Sequence, residues 1–485
     1  MSGGTDRSTV SGIGDPGAVR RIHVVGVGGA GMSAIATVLS AMGHEVSGSD
    51  LRESGVTERL RSLGIEVAIG HAASNVGAAD LVTQSTAVHA DNPEIVEAHQ
   101  RGIPVLARAE TLAAIAARKR CIAVAGTHGK TTTASMLSLV LVEAGLRPSF
   151  LIGGEVNEIG TNAVWDTGEW IVVEADESDG TFLHLAPDIA IVTNVEADHL
   201  DHYGSFDAVR TAFAEFLASA GHRVVGADDA EALVIGRASG ADLVGTSADA
   251  TYTMTDVDTA RSAVVFDLVG PDGGLLTRVH VAVPGLHNAR NAAVATVAAL
   301  ATGAPAEAAA RALARFGGVA RRFEFRGEQA GVTFVDDYAH LPTEVRAALA
   351  AARNGDWGRV VAVFQPHRYS RTAEVGEEFG DAFGDADVIV LTDVYGAGEA
   401  PVPGVSGRLV ADAVRRRRPD VQLHYVPGRA DLVAAVAALV RPGDLCLTLG
   451  AGDLTSLPDE LMALGPGTGG DGVSAGGDDR PRTES

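Results

Sequence analysis

Residues 121–132 read Cys-Ile-Ala-Val-Ala-Gly-Thr-His-Gly-Lys-Thr-Thr. The first five residues are apolar, which is typical of a strand that is buried on both faces of a parallel sheet. Gly126 and Gly129 then allow a tight turn, and an apolar helical stretch follows as far as Ala144. A strand, a glycine-rich turn and a helix in this order favour phosphate binding, because the N–H groups that open the helix point at the anion. The stretch therefore predicts an α/β domain that binds phosphate.

The turn itself resembles the phosphate loop of nucleotide-hydrolysing enzymes. In that motif a lysine reaches the β- and γ-phosphates and a hydroxyl residue holds Mg²⁺, which are roles for Lys130 and Thr131. The first glycine of the usual pattern would fall at Val124, so this loop is two residues tighter. Lys130 is one of only two lysines in the chain. We expect contacts to ATP phosphates from Gly126, Thr127, His128, Gly129, Lys130, Thr131 and Thr132.

A second glycine-rich turn occupies residues 26–31 and reads Gly-Val-Gly-Gly-Ala-Gly, directly after a predicted strand at 22–25. The spacing fits a turn that binds a diphosphate-bearing nucleotide, with Asp50 at the end of the next strand. NAD is the obvious ligand for this pattern, and a purely structural turn is the alternative. His71 follows a further predicted strand and is either a ligand contact or a surface histidine.

Polar residues also follow two strands that we predict beside the phosphate loop. Glu174 ends one of them, where a carboxylate could ligate a metal bound to phosphate. The next acidic residues, Asp176, Glu177 and Asp179, are expected to be solvated. His199 lies in an acidic cluster after the other strand and could ligate a metal or orient phosphate.

The second half of the chain carries further candidates. Asn288 and Asn291 are three residues apart at the start of an Ala-rich helix, so they share one face and could bind a base, although Asn288 could simply cap the helix. Arg322 lies near a domain junction and could close onto phosphate or ribose, or form a surface salt bridge. Arg368 and Arg371 would share a helical face and hold a carboxylate, unless that face is merely solvated.

The order of these patterns predicts the fold class. Short β-branched runs alternate with Ala/Leu-rich helical stretches, as in α/β proteins with parallel sheets, and 485 residues suggest about three domains. We expect a Rossmann-like N-terminal domain, a P-loop ATPase-type central domain with a small antiparallel excursion, and a Rossmann-like C-terminal domain. The predicted boundaries are a disordered arm at 1–19, domains at 20–118, 119–319 and 320–464, and a disordered tail at 465–485.

Composition excludes several classes of partner. The chain has 38 basic and 62 acidic residues, a net charge of −24, which disfavours nucleic acid and anionic membranes as partners. No run approaches the ~20 apolar residues of a membrane span, and residues 1–17 lack the apolar core of a secretion signal. Cys121 and Cys446 lie beside apolar runs and are expected to be reduced. We expect a cytoplasmic protein.

Two phosphate-type turns and an arginine pair in three different domains indicate a particular chemistry. Such an enzyme would bind one nucleotide conjugate, consume a second nucleotide and hold a carboxylate. ATP-driven amide formation fits, because a carboxylate is a poor electrophile until phosphorylation turns it into an acyl phosphate. An amine can then displace the phosphate.

Six motifs resemble the Mur ligase family, over nearly the whole chain. They lie at residues 26–32, 126–132, 174–180, 193–201, 336–340 and 364–372. The resemblance implies an ATP- and Mg²⁺-dependent ligase that adds L-alanine to the lactyl carboxylate of UDP-N-acetylmuramate, acting as a monomer or weak homodimer in peptidoglycan synthesis. The motif at 364–372 favours this activity over the alternative, a ligase that recycles a ready-made tripeptide onto the same sugar.

The resemblance also implies roles for individual residues. The UDP-sugar would contact Gly26, Gly28, Gly29, Ala30, Gly31, Met32, Ser33, Asp50, His71 and Ser85. The metal would be held by Thr131, Glu174 and His199. The adenine side would involve His287, Asn288 and Asn291, and the C-terminal domain would close the ATP site near Arg322 and Asp337. The lactyl carboxylate and L-alanine would meet Tyr338, His340, Arg368 and Arg371. The catalytic residues would be Lys130, Glu174, His199 and His340.

One departure and two rivals accompany this interpretation. The family usually has a second histidine where this chain has Leu341, which we expect to change local packing rather than activity. A nicotinamide-dependent oxidoreductase would account for the first turn but leave Lys130, Glu174 and His199 unexplained. A P-loop ATPase or regulatory module without ligation is the other rival.

Overall fold

The computed structural model describes residues 20–464 apart from Asp179 and Arg261, and the side chain of Asp201 is also not described. The predicted arm at 1–19 and tail at 465–485 lie outside the described residues. The chain forms two compact units, one ending at Arg322 and one beginning at Phe323. Within the described part of the chain, no helix is both long and apolar enough to cross a bilayer.

The first unit begins with a five-stranded sheet, which we call the N-terminal sheet. Its strands are β1 (Arg21–Val25), β2 (Glu45–Asp50), β3 (Glu66–Ile69), β4 (Leu81–Gln84) and β5 (Val105–Ala107). They are all parallel and lie in the order β3-β2-β1-β4-β5. The connecting helices are α1 (Ala30–Ala41), α2 (Gly55–Ser62), α3 (Pro93–Gln100) and α4 (Arg108–Ala116).

The rest of the first unit is built on a ten-stranded central sheet. Its strands are β6 (Arg120–Ala125), β7 (Ser149–Val156), β8 (Thr161–Val164), β9 (Trp170–Glu174), β10 (Ile189–Val192), β11 (His222–Gly226), β12 (Asp242–Gly245), β13 (Tyr252–Thr259), β14 (Val264–Val269) and β15 (Leu275–Val281). The helices are α5 (Lys130–Glu143), α6 (Leu200–Tyr203), α7 (Phe206–Ala218), α8 (Ala230–Ser239), α9 (Leu286–Ala301) and α10 (Ala306–Leu313). The strand order is β15-β14-β13-β12-β11-β10-β6-β9-β7-β8.

The second unit contains a six-stranded C-terminal sheet. Its strands are β16 (Glu324–Gln329), β17 (Val332–Asp337), β18 (Arg359–Phe364), β19 (Val388–Leu391), β20 (Gln422–Tyr425) and β21 (Asp444–Leu449). The helices are α11 (Pro342–Arg353), α12 (Tyr369–Val375), α13 (Gly407–Arg417), α14 (Leu432–Ala437) and α15 (Leu457–Ala463). The order is β16-β17-β21-β18-β19-β20, and only β16 among these strands is antiparallel to its neighbour.

The α/β class is confirmed, with a parallel N-terminal sheet, a C-terminal sheet that is parallel apart from β16, and a mixed central sheet. Five of the six residues of β6 are buried, as expected for a strand covered by helices on both faces. The antiparallel excursion is also confirmed, since β14 pairs with both β13 and β15 in antiparallel register. The prediction omitted β7, β8, β11, β12 and β16. The domain boundaries at 118/119 and 319/320 stay predictions.

Candidate active site

Three strand ends meet at one edge of the central sheet. Strand β6 lies between β9 and β10, and all three are parallel. The phosphate-type turn leaves β6, Glu174 ends β9, and the segment that leads to His199 leaves β10. Because ligands bind beyond the carboxyl ends of parallel strands, this edge gathers the predicted phosphate and metal residues in one place.

The shape of the turn depends on two glycines and on the chain that follows β10. Gly126 and Gly129 have φ values of 135° and 78°, which residues other than glycine rarely adopt. A Cβ on Gly129 would lie 2.5 Å from Oδ1 of Asn291. The Asn194 side chain accepts from the His128 N–H at 2.8 Å and donates to the His128 carbonyl at 3.0 Å. The N–H groups that open α5, from Lys130 onward, are those that helix geometry leaves without an intrahelical acceptor.

Lys130 forms a partly buried ion pair that the sequence did not predict. Its Nζ lies 2.8 Å from Oε1 of Glu177 and donates to the carbonyls of Gly126 and Thr127 at 2.7 and 3.3 Å. Burial opposes the charge of the ammonium, but the carboxylates of Glu177 and Asp176 outweigh it and raise the pKa of Lys130. Burial also raises the pKa of Glu177 to about 7, an effect that Lys130 partly counteracts.

The expected solvation of Glu177 is therefore wrong. Its side chain is 5% exposed, and Oε2 is a buried atom that lacks a hydrogen-bond partner. The physical reason is the neighbouring ammonium, which compensates for the loss of water around the carboxylate. Asp176 also has a cationic partner, Arg108, at 3.3 Å. Asp179 lies outside the described residues.

The predicted metal ligands Thr131 and Glu174 are in direct contact. Thr131 Oγ1 donates to Glu174 Oε1 at 2.8 Å, and Glu174 Oε2 accepts from the N–H of Gly153 at 2.6 Å. His199 has φ 56° and its Nε2 lies 3.2 Å from Oδ2 of Asp198. Among the residues that the structure describes, no group of three or more His, Cys, Asp and Glu side chains is arranged to hold a metal.

The predicted adenine-side residues lie in the first turns of α9. Asn288 is buried and its amide donates to the carbonyl of Pro284 at 2.7 Å, so one of its donors stabilises the start of the helix. Asn291 is also buried, and its side chain packs against Gly129 of the phosphate-type turn. His287 is half-buried. The structure thus brings Asn291 to the turn.

The N-terminal turn is held by the strand beside it. The N–H groups of Gly26 and Val27 both donate to the carbonyl of Ser49 at 2.9 Å. The N–H of Gly28 donates to Asp50 Oδ2 at 2.8 Å, so this carboxylate orients the turn itself. Gly29 immediately precedes α1, which contains Ala30, Gly31, Met32 and Ser33. Ser85 follows β4 and approaches Gly26, where an added Cβ would lie 3.1 Å from the Cβ of Ser85.

A cavity of about 220 Å³ lies between this turn and the metal residues. Gly31, Arg108, Gly153, Glu174 and Asp176 are among the residues that line it. Residues of both predicted sites therefore line one cavity. Sequence reasoning missed Arg108 as a lining residue, because it belongs to none of the quoted motifs.

In the second unit, aromatic and basic side chains collect beyond β17 and β18. The rings of His340 and His367 are 5.7 Å apart, and the ring of Tyr338 lies 5.3 Å from that of His340. Arg371 is buried, and its Nη1 lies 3.2 Å from His367 Nδ1. Burial, followed by the charges of His340 and Arg371, lowers the pKa of His367 to about 3. The neutral His367 ring can therefore accept from Arg371 and orient its guanidinium.

Arg368 and Arg371 do not share the helical face that their spacing predicted. Helix α12 begins at Tyr369, so Arg368 precedes it, with φ 68°. Arg368 Nε instead lies 3.1 Å from Glu399 Oε1. The expected helix start was wrong because the chain turns sharply at Arg368, and only Arg371 projects from the helix.

The remaining predicted residues, Asp337, Arg322 and Leu341, make contacts that support the local structure. Asp337 accepts from the N–H groups of Phe323 and Ala339 at 2.8 and 2.7 Å, so it ties the chain that precedes β16 to the loop that follows β17. Arg322 closes a turn, with its N–H bonded to the carbonyl of Val319 at 3.0 Å. Leu341 precedes α11 and is buried in the core of the second unit, which agrees with an effect on packing.

Replacing Gly28 by alanine is expected to lower the melting temperature, because the new Cβ would lie 2.7 Å from Asp50 Oδ2 and overpacking of this kind costs about 1–3 kcal/mol. Gly29→Ala is the matched control, since its nearest atom would be 3.6 Å away. Calorimetry of both variants checks this. Equal melting temperatures for the two variants would contradict the proposed role of Asp50 in holding the turn.

Comparison with known proteins agrees with this arrangement. Residues 21–120 match the family model described as Mur ligase family, catalytic domain. Residues 124–299 match the Mur ligase middle domain, and residues 321–452 match the Mur ligase, glutamate ligase domain. Among curated proteins, the UDP-N-acetylmuramate–L-alanine ligase of Anaeromyxobacter sp. (strain Fw109-5) is 48% identical over 92% of this chain and 97% of its own length. The enzyme of that name from Saccharopolyspora erythraea is 48% identical over 92% and 93%.

Solved structures give the same result. The crystal structure of UDP-N-acetylmuramate-alanine ligase from Thermotoga maritima has a TM-score of 0.79 at 30% identity, covering 92% of this chain and 99% of that one. A murein peptide ligase from Psychrobacter arcticus has a TM-score of 0.68 at 24% identity, covering 92% and 98%, and shares the fold. With family models over all three sheets and such relatives along nearly the whole chain, this protein belongs to the Mur ligase family.

Proposed function

We propose that this protein is an ATP-dependent ligase that joins L-alanine to the lactyl carboxylate of UDP-N-acetylmuramate, releasing ADP and phosphate, in peptidoglycan precursor synthesis. The observation that carries the proposal is the phosphate-type turn with Lys130, beside the Thr131–Glu174 contact. Relatives that are 48% identical over 92% of the chain bear the name of this activity. The tripeptide-recycling alternative is not favoured, because curated relatives that are 44–48% identical over 91–92% of the chain bear the name of the alanine ligase.

The turn at 126–132 would bind the triphosphate of ATP. The N–H groups at the start of α5 would meet the phosphate oxygens, and the Lys130 ammonium would offset their negative charge. The ammonium is already held at the turn by Glu177 and two carbonyls. Little reorganisation is then needed when the nucleotide binds, which favours transition-state stabilisation. Asn291, packed on Gly129, and its helix neighbours His287 and Asn288 would face the adenosine side.

The residues at this edge fit Mg²⁺. Thr131 and Glu174 present oxygen atoms, the ligand type that Mg²⁺ prefers, and Mg²⁺ usually keeps waters and substrate phosphates as its other ligands. A cage of several protein carboxylates is therefore not required. When bound, the ion would neutralise charge on the transferring phosphoryl group. His199 stays a predicted third ligand or an orienting group at the same edge.

The first turn and the cavity beyond it would hold the UDP-sugar. The diphosphate would lie at the start of α1, with Ser85 and His71 at neighbouring strand ends. The cavity of about 220 Å³ leads from Gly31 to Glu174. A lactyl carboxylate placed there would lie near the metal residues, and the Arg108 guanidinium on the wall would favour its negative charge.

The second unit would supply the amino-acid side of the reaction. A carboxylate oxygen of the sugar attacks the γ-phosphorus, the bond to the β,γ-bridging oxygen breaks, and ADP leaves. The amine of L-alanine then attacks the acyl carbon, and phosphate leaves. The incoming ammonium must first lose a proton, and His340 is our candidate acceptor. Its Nδ1 lies 3.0 Å from the carbonyl of Tyr338, which can only accept a hydrogen bond, so in the neutral form of the ring Nε2 carries the lone pair that would take up this proton.

The direct test measures ADP release with the full chain, Mg²⁺ and ATP, adding UDP-N-acetylmuramate and single amino acids in turn. We expect release to require the UDP-sugar together with an amino acid, and to be fastest with L-alanine. A covalent sugar–alanine product should be visible by mass spectrometry. Turnover with a tripeptide but not with L-alanine would support the recycling ligase instead. ADP release that needs neither acceptor would support an ATPase without ligation.

Lys130→Ala is expected to abolish turnover, because the charge on the transferring phosphoryl group loses its cation, while binding of UDP-N-acetylmuramate remains within about twofold of wild type. Calorimetric titration of each ligand checks this. Glu177 can take up a proton to relieve its burial, since its pKa is raised to about 7, so the variant should still fold. Equal losses of sugar and ATP binding would argue against two separate sites.

Arg371→Ala is expected to raise the KM for L-alanine or for the UDP-sugar by about tenfold or more, because a charged hydrogen bond contributes ~1.5–3 kcal/mol. The KM for ATP should be unchanged. Arg371→Lys should recover only part of the loss, since lysine lacks the bidentate fork. Arg415→Ala is the control, because Arg415 pairs with Asp412 on the exposed face of α13. A change confined to the KM for ATP would refute this assignment.

A further inference from the structure

The N-terminal sheet contains a buried carboxylate that the proposed reaction does not use. Glu94, in the first turn of α3, is fully buried. Its Oε2 accepts from Ser49 Oγ at 2.5 Å and lies 3.3 Å from Nδ1 of His71. Its Oε1 accepts from the amide of Asn75 at 2.6 Å and from the N–H of Ala72 at 3.2 Å. A buried charge with so many donors occupies one orientation and orients its neighbours in turn.

Glu94 is an acceptor throughout the physiological pH range. Burial by itself raises the pKa of this carboxyl, but the neighbouring His23 and hydrogen bonds from Ser49 and Asn75 outweigh it and lower the pKa to about 2. His23 is the other titratable group that faces it, with Nε2 at 3.5 Å from Oε2. An ionised carboxylate accepts hydrogen bonds and donates none.

This geometry determines where the proton of His71 sits. The Ser49 hydroxyl donates its hydrogen to Glu94, so its lone pairs are what it offers to His71 Nδ1, 3.1 Å away. Both neighbours of Nδ1, the hydroxyl oxygen and the carboxylate, are therefore acceptors. Nδ1 must carry the proton, and in the neutral ring Nε2 then holds a lone pair.

His71 lies where a nucleotide base would reach. It follows β3, whose neighbours in the sheet are β2 and then β1, the strand that leads into the glycine-rich turn. A nucleotide whose diphosphate sits on that turn extends along the carboxyl ends of these strands. The ribose would pass the end of β2, and the base would arrive at the end of β3. The His71 side chain is 13% exposed.

We propose that Glu94 and Ser49 hold His71 in the Nδ1–H form, so that Nε2 accepts a hydrogen bond from the N3–H group of uracil and thereby selects uracil over cytosine. This rests on the proposed function only in that the first turn binds a UDP-sugar. The N3 atom of uracil is a donor, whereas the N3 atom of cytosine is an acceptor. Cytosine would face His71 with lone pair against lone pair, which leaves two polar groups unpaired. Glu94 and Ser49 are positioning residues here, and His71 is the contact.

The proton position can be measured on the whole protein without any ligand. Two-bond ¹H–¹⁵N correlation spectra of ¹⁵N-histidine-labelled protein, assigned with His71→Gln, distinguish the two neutral forms and the cation. We expect the Nδ1–H pattern for His71 at pH 7.5. The Nε2–H pattern or a cationic pattern at this pH would overturn the proposal, whatever the enzymatic activity.

The functional consequence is measured as the ratio of dissociation constants for CDP and UDP. In wild type, CDP should bind more weakly. Glu94→Gln places an amide donor beside His71 Nδ1 and can shift the ring to its Nε2–H form, which matches cytosine. The ratio should then fall by about tenfold, the worth of one hydrogen bond. Glu97→Gln is the matched control on the same helix, where Glu97 pairs with Arg101 at 3.9 Å, and its ratio should equal that of wild type.

The outcomes separate this proposal from the proposed function. If wild type ligates alanine to the UDP-sugar but the ratio is the same in Glu94→Gln and wild type, the ligase stands and the role of His71 falls. If wild type binds neither UDP nor CDP, both fall. Should Glu94→Gln fail to fold, His71→Ala replaces it, because loss of the Nε2 acceptor must also lower the ratio. An unchanged ratio in folded His71→Ala would overturn the proposal.

Discussion

The central site is organised around the partly buried ammonium of Lys130. A charge taken out of water costs roughly several kcal/mol unless paired groups compensate for it, and here a carboxylate and two carbonyls do so. This requirement places Glu177 inside the protein and brings the chain that follows β9 close to the turn. The chain that follows β10 then fixes the His128 peptide through Asn194. The phosphate-type turn is thus shaped by both neighbouring strand ends.

The same principle recurs at the edges of the other two sheets, where acidic residues hold loops in place. Asp50 accepts from Gly28 of the first turn, and Asp337 accepts from Ala339 of its own loop and from Phe323, which precedes β16. In each case the carboxylate accepts hydrogen bonds from backbone N–H groups. Such bonds are stronger than those between two neutral groups, because the acceptor is charged. Residues that stand in functional motifs therefore include supports for the loops as well as groups that face a substrate.

Much of this arrangement could be predicted from sequence, for a definite reason. Glycine-rich turns after apolar strands have few alternatives, because the backbone conformation they require is local. The parallel strands were recognisable for the same reason, as short apolar runs. Strand β16 was missed because most of its side chains are half-buried or exposed, so it lacks an apolar run. Arg368 was misplaced because its φ of 68° breaks the helix that the spacing suggested.

The sequence by itself determined the α/β class, the positions of both phosphate-type turns and the polar residues at the strand ends, since all of these follow from local patterns of glycine and apolar residues. Only the tertiary structure decided which of those polar residues meet. The contacts of Lys130 with Glu177 and of Thr131 with Glu174 join residues 47 and 43 positions apart. The enclosure of Glu94 brings in Ser49 and Asn75, which are 45 and 19 positions away. Spacing along a chain carries no information about such distances, because strand order sets them.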